Sequence, residues 1–388
     1  MLESALVYGS LTIIMVACGV FASRRQLAYN KGITMLGRKG NLGFAYLEIW
    51  LPIFFFTVVF GCRYDVGRDQ LEYLKWYNEG VPESKEFLWR YMTDFLSNVG
   101  VHYAVYFSLW AFLQVFLIFY SIKEYRFLFP YVAYYLIVGN YFLAMMNTIR
   151  FSLVACIFFF ATKYIEQKQF FKYCLCIVLA MLIHKTAIVL LIFYPLFVRK
   201  DVWISIKSQA IILGVSLFLM FNRDAAFGVV SNIFSFVIDR FNYGAGYGYI
   251  LNPKYGVYLF NQAAEFGRNT GLGEYIFLFL GLIIMYYQSR MREKYDSKLF
   301  QISYVLWFMA FSLGFVAGKS FVLGRPLLYL ANFKMLIIAY FTHYCFSSKK
   351  LNDKIIGIMF VLIYMALFIN IISMGEVNKS AFTFFWQH

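Results

Sequence analysis

The stretch FKYCLCIVLAMLIHKTAIVLLIFYPLFV (residues 171–198) decides how the chain is laid out. It is long for one membrane helix and short for two, because a hydrocarbon core of about 30 Å takes about 20 apolar residues. As a single span it would reverse every later loop. The basic segments RKDVWISIK (199–207), QSRMREKYDSK (288–298) and SSKKLNDK (347–354) would then leave the side where Lys and Arg concentrate. Two short helices keep them there. Each would cover only about 21 Å, so a turn at His184 and Lys185 is expected to lie recessed, lining a protein cavity rather than lipid.

Composition supports this frame. The chain of 388 residues is 62% hydrophobic, 22% aromatic and only 14% charged, which excludes an ordinary soluble domain and suits broad interfacial belts. Its formal net charge of +15 does not mark a nucleic-acid face, because the charges sit in short segments between apolar runs. Apolar windows at 5–21, 43–61, 101–120, 127–145, 148–162, 171–184, 185–198, 208–221, 272–288, 299–318, 327–346 and 354–373 predict about twelve transmembrane helices, some short or re-entrant. With the N-terminus outside, the inner segments carry 20 of the 35 Lys and Arg. The first window is followed, not preceded, by SRR (23–25), so it reads as a retained span and not a cleaved signal. The expectation is an all-α, polytopic integral membrane protein forming a single membrane domain over 1–388. Two substantial outer segments, 62–100 and 222–271, face one compartment, and there is no internal repeat.

Cysteine adds little. Cys18, Cys156, Cys174, Cys176 and Cys345 lie in or beside apolar runs and Cys62 near an outer segment, so no disulfide framework is visible, and the CxC at 174–176 reads as helix packing. No HExxH, paired CxxC, nucleophile elbow or phosphate-binding glycine loop occurs, and no DxD-type pair marks a divalent metal.

The outer segments hold the polar residues that could do chemistry. RYDVGRDQLEYLKWYNE (63–79) sets Arg63, Asp65, Arg68, Asp69 and Glu72 beside Tyr73 and Trp76. On a helix, Asp69, Tyr73 and Trp76 share a stripe at i, i+4 and i+7, which fits a sugar-contacting surface and equally an interfacial amphipathic helix. PESKEFLWRYMTDFLSNVG (82–100), with Phe87, Trp89, Tyr91 and Phe95, reads as an interfacial helix or re-entrant element. Asn147 and Arg150 stand at the mouth of an apolar window, where an Arg either snorkels to headgroups or meets an anion in a wet cavity. His184 and Lys185 are either a packed His beside a snorkelled Lys, or a base beside a phosphate partner. Arg240 and Arg325 could join Arg150 around an oxyanion, because a guanidinium presents a planar donor fork. Tyr243, Tyr247, Tyr249 and Tyr329 could hydrogen-bond or stack on carbohydrate.

Taken in order, these residues resemble the EpsG-like family of bacterial polysaccharide polymerases, related in role to O-antigen repeat-unit polymerases. Arg63, Tyr64, Gly67, Asp69 and Tyr73 resemble its early RYxxGxDxxxY pattern. Asn147 and Arg150 resemble its NxxR, His184 through Ala187 its HK[ST]A, and Arg325 with Tyr329 its late Arg and aromatics. Arg68 stands where a small hydroxyl residue is common, and Phe151 where Gln often follows the Arg.

The resemblance implies a metal-independent, cofactor-free membrane glycosyltransferase of the bacterial inner membrane. Its substrates would be undecaprenyl-diphosphate-linked oligosaccharides, the growing glycan passing to the non-reducing end of a new lipid-linked repeat. His184 or Asp69 would orient or deprotonate the acceptor, while Arg150, Arg240 and Arg325 neutralise the diphosphate with Lys185 assisting. Arg63, Asn147, Tyr73 and the other tyrosines would place substrate. The site and both termini would face the periplasmic or outer side, and a flippase and a chain-length-regulating membrane protein are the expected partners. A lipid-linked oligosaccharide flippase and a glycan-to-lipid A ligase are the competing readings, the first of which predicts internal repeat symmetry.

Overall fold

The computed structural model describes residues 2–31, 43–199, 201–222, 271–317, 321–375 and 379–387. The described chain is helical throughout, and its one β-feature is an isolated bridge between Arg63 and Phe384. The α-helices are α1 (Leu2–Asn30), α2 (Leu47–Gly61), α3 (Gln70–Glu79), α4 (Phe87–Asn98), α5 (Tyr103–Ser121), α6 (Phe129–Val138), α7 (Tyr141–Asn147) and α8 (Ile149–Glu166). They continue as α9 (Phe170–Met181), α10 (Phe193–Phe197), α11 (Ile206–Phe221), α12 (Leu272–Lys294), α13 (Lys298–Ala317), α14 (Phe321–Leu328), α15 (Ala331–Ser347) and α16 (Leu351–Ser373).

The expected count of about twelve spans does not hold. Among the described residues five helices are long and apolar enough to cross a membrane: α1, α5, α12, α13 and α16. The pair formed by Arg126–Val138 and Tyr141–Asn147, bent by 57°, would make a sixth. The protein is therefore a multi-pass, all-α membrane architecture, with five or at most six such spans among the described residues. The correction has a physical cause. Hydropathy registers apolar windows but not the places where the chain leaves the helix. In the window 127–145 the helix breaks at Gly139 and Asn140, where Asn140 adopts φ 64. The window 43–61 yields only the 15 residues of α2, about 22 Å of helix. The deciding stretch 171–198 becomes the 12-residue α9, an eight-residue 3₁₀ helix (Lys185–Ile192) and the five-residue α10, so neither half is membrane-length. All six cysteines are free thiols.

The chain divides into two compact units, residues 1–200 with 335–388 and residues 201–334. In the first, α1 crosses α6 at Gly19, where an added Cβ would fall 2.7 Å from the Pro130 backbone N and Cα. Backbone cannot step aside there. Gly19→Ala is expected to lower stability by about 1–3 kcal/mol, read as an earlier thermal unfolding in detergent. Gly9→Ala on the same helix, where nothing lies within 4 Å, should leave unfolding unchanged or delay it.

At one end of this unit residues 379–387 run across the start of α1 and the loop after α2. The Tyr8 hydroxyl donates to the Ser380 carbonyl at 2.9 Å, Phe382 N donates to Ser4 Oγ at 2.8 Å, and Tyr64 N donates to the Thr383 carbonyl at 2.9 Å. The second unit is held by a buried amide–phenol relay between α11, α12 and α13: Gln209 donates to Gln288 Oε1 at 2.6 Å and accepts from the Tyr304 hydroxyl at 2.8 Å.

Candidate functional site

α2 ends packed tightly on α5 at Gly61, where a Cβ would strike Ser108 and the Ala104 carbonyl, and the chain then turns. Asp65 at φ 52 and Gly67 at φ 90 complete the turn, and Asp65 is tied to Lys379 at 2.7 Å. Arg63 is fully buried inside this loop. Its Nε donates to the Val66 carbonyl at 3.2 Å, its Nη2 to the Met146 carbonyl at 3.2 Å and its Nη1 to the Phe60 carbonyl. Gln70 closes the loop, accepting from Val66 N at 2.7 Å and donating to the Arg63 carbonyl at 2.9 Å.

That loop delivers α3. Asp69 stands at its N-cap, and Asp69 N donates to Asn147 Oδ1 at 3.0 Å, so the Asn147 side chain holds the start of α3 against the end of α7. Tyr73 and Trp76 then sit edge to face, ring centroids 5.4 Å apart, on the stripe the spacing predicts. Trp89 of α4 meets Tyr73 at 5.5 Å and stacks on Trp110 of α5 at 4.6 Å. The two faces of α4 differ: Trp89 and Thr93 are buried, whereas Phe87, Tyr91 and Phe95, in a stacked file at i, i+4 and i+8, are 63%, 56% and 50% exposed.

Arg150, in the first turn of α8, lies between the two tryptophans, its guanidinium carbon 5.6 Å from the Trp76 ring and 5.9 Å from the Trp89 ring. Its Nη1 meets Glu86 Oε2 at 2.7 Å, with side-chain exposures of 13% and 8%. The other Glu86 oxygen accepts from Lys185 N at 3.1 Å. Leu88 N donates to the Leu182 carbonyl at 3.0 Å, which docks the start of α4 on the turn after α9. In that turn His184 is nearly buried, its Nδ1 2.8 Å from Thr186 Oγ1 and its ring 4.0 Å from the Phe151 ring. Burial pushes the Tyr73 phenol above its ordinary range; Arg150 pulls it back, while the Asp69 and Glu72 carboxylates push it up.

Thus Tyr73, Asn147, Arg150, His184 and Lys185 come together, with Asp69 at the edge of the group and Arg63 supporting it from beneath. Glu86, which joins Arg150 to the His184–Lys185 turn, was not singled out from the sequence. Its signal was weak: an acidic residue directly before an aromatic helix in the outer segment 62–100. Arg325 in α14 and Tyr329, which is buried, belong to the second unit. Arg240, Tyr243, Tyr247 and Tyr249, with nearly all of segment 222–271, lie outside the described residues.

Chemically the cluster offers a recessed cation between aromatic faces. Arg150 Nε and Trp89 Nε1 are buried donors with no hydrogen-bond partner among the described residues. A guanidinium whose donors are only partly used can accept an anion without rebuilding its surroundings. Among the described residues no group of three or more His, Cys, Asp or Glu is placed to hold a metal ion.

In comparison with known families, the profile of the EpsG family matches residues 48–386. That span takes in every element of the cluster. No curated protein and no solved structure matches the chain.

Proposed function

The chain belongs to the EpsG family, a family of polysaccharide polymerases, and from that membership we propose that it lengthens a surface glycan built on a lipid diphosphate carrier at the bacterial inner membrane. The observation that carries the reading is the Arg150 centre. A charged guanidinium is held at 13% exposure between Trp76 and Trp89, paired with a single carboxylate oxygen, with its Nε unused. Aromatic faces beside a recessed cation match the two halves of a sugar diphosphate, because rings stack on pyranose faces and Arg forks phosphate oxygens.

In this reading the acceptor hydroxyl at the non-reducing end of a new lipid-linked repeat attacks the anomeric carbon of the growing chain. The new glycosidic C–O bond forms as the bond to the carrier diphosphate breaks, and undecaprenyl diphosphate leaves with the electron pair. Arg150 neutralises the charge growing on that leaving group, with the exposed Lys185 ammonium assisting. The acceptor proton passes to His184, whose Nδ1 side is fixed by Thr186. Glu86 holds Arg150 in place until the diphosphate competes for it. Tyr73 and Trp76 place the sugar, Asp69 orients the acceptor, and Arg63 and Asn147 act through the loop and helix they hold.

The test is reconstitution in vesicles with one defined lipid-linked repeat. A ladder of longer glycans on the carrier, formed without translocation of lipid and without lipid A, is expected. Translocation with no lengthening, or lengthening only when a lipid A core is supplied, would replace the reading with transport or ligation. His184→Ala should slow the ladder on the order of 100-fold with carrier binding kept. An unchanged rate would remove His184 as the base.

A further inference from the structure

The other end of α8, about 20 Å along the helix from Arg150, carries a second cluster of charge. Lys163 Nζ lies 3.6 Å from the Phe160 ring centroid, 4.7 Å from that of Tyr164 and 5.4 Å from that of Tyr120. Lys123 Nζ sits 4.3 Å from the same Tyr120 ring and donates to its hydroxyl at 3.3 Å, while Lys172 Nζ lies 6.0 Å from the Tyr164 ring. Two tyrosines therefore gather three ammonium groups from the ends of α5 and α8 and the start of α9. No Asp or Glu forms an ion pair with any of the three among the described residues.

Three like charges drawn together cost free energy unless an anion is shared among them, and lysines at a membrane end, here two half-exposed and one exposed, are otherwise free to splay toward water. The surroundings select the kind of anion. From Tyr120 an aromatic file runs back along α5 through Phe116 and Phe112, stacked at 5.5 and 5.6 Å. Trp50, 38% exposed, stacks on Phe112 at 6.2 Å. Phe44 packs edge-on against Phe116 and Tyr120 at 5.7 and 5.3 Å. The file remains half-exposed and belongs to a membrane-length helix, so with Phe44 it offers an aromatic wall for an acyl chain that begins at the Tyr120 ring the ammonium groups share.

We propose that Lys123, Lys163 and Lys172 bind the phosphate headgroup of an anionic glycerophospholipid whose acyl chain lies along Phe116 and Phe112. The site is separate from the Arg150 centre and independent of the reaction assigned to it. Basic pockets between membrane helices are suited to such headgroups, and each Lys near an anionic surface contributes several-fold in affinity.

The test compares the full-length protein with its Lys123→Gln/Lys163→Gln/Lys172→Gln variant in detergent, titrated with phosphatidylglycerol, phosphatidylcholine or inorganic phosphate. Retained lipid is counted by native mass spectrometry and thermal unfolding is followed in parallel. Expected are a phosphatidylglycerol molecule retained by the wild type, later unfolding than with phosphatidylcholine, and affinity about 100-fold lower in the triple Gln variant. The triple Arg variant should keep the lipid. The exposed Lys172→Gln change alone should weaken it about fivefold, which keeps the test decisive if the triple Gln variant does not fold. Equal retention of phosphatidylcholine, undiminished phosphatidylglycerol affinity in the Gln variants, or the same stabilisation from inorganic phosphate would each overturn the lipid site.

Discussion

An Arg150→Gln protein should lose polymer formation by about a thousandfold and lose part of its stability, while Glu86→Gln/Arg150→Gln should recover the stability and not the activity. The two effects have separate origins. Arg150 and Glu86 are 13% and 8% exposed and 2.7 Å apart, so removing the cation alone leaves a recessed carboxylate with only the Lys185 N–H as partner among the described residues. That costs about 2–3 kcal/mol, the penalty of an unsatisfied buried charged group. Replacing both partners by neutral amides removes the uncompensated charge and should return stability to within about 1 kcal/mol of wild type. The double variant still lacks the Arg150 guanidinium and keeps only the assisting Lys185 ammonium at the diphosphate, so turnover stays low. Unfolding temperature and ladder formation by the reconstituted protein separate the outcomes. A double variant that regains turnover would mean that Arg150 serves only to balance Glu86. An Arg150→Gln protein with full turnover would reject its electrostatic role outright.

The contrast between Arg150 and its neighbours marks what the sequence could reveal. An Arg at the start of an apolar window, a His-Lys pair inside another and a Tyr-Trp stripe are unusual enough to stand out, because each costs free energy in a membrane unless something uses it. Their convergence was not legible. It depends on Leu88 pairing with Leu182 and on Glu86 reaching Lys185, contacts between segments almost a hundred residues apart. Glu86 was hidden by its setting, since an acid in PESKEF reads as ordinary loop charge. The helical, apolar character followed directly from composition, but the number of spans did not. Asn140 in a left-handed turn and the switch to 3₁₀ geometry after His184 interrupt helices without interrupting hydropathy. Arg63 illustrates the opposite ambiguity: a charge beside an apolar run looks solvated or functional, yet the chain folds back over it.

Arg63→Met is accordingly expected to destabilise the protein by about 3–5 kcal/mol, the order expected for three buried carbonyls left unpaired at about 1–3 kcal/mol each, with loss of activity following loss of fold. The guanidinium serves three carbonyls at once, those of Phe60, Val66 and Met146, and lies over the Phe60 and Phe107 rings at 3.9 and 4.9 Å. Met matches the bulk and supplies none of the donors, leaving acceptors inside the fold unpaired. Arg63→Lys keeps the charge but cannot reach the three carbonyls with the geometry of a planar fork, so it should fall between Met and wild type. The consequences extend along the loop. Arg63 bridges to Phe384, its carbonyl is held by Gln70, and Gly67 N donates to the Lys379 carbonyl at 2.8 Å. Loosening it should therefore free residues 379–387 and the start of α3 together. Limited proteolysis at both segments, alongside thermal unfolding, reads this directly. If Arg63→Met unfolds at the wild-type temperature with both segments protected yet no longer retains the lipid-linked repeat, then Arg63 contacts substrate and the scaffold assignment fails. Early cleavage at both segments, with activity scaling to the folded fraction, is the outcome that buried geometry requires.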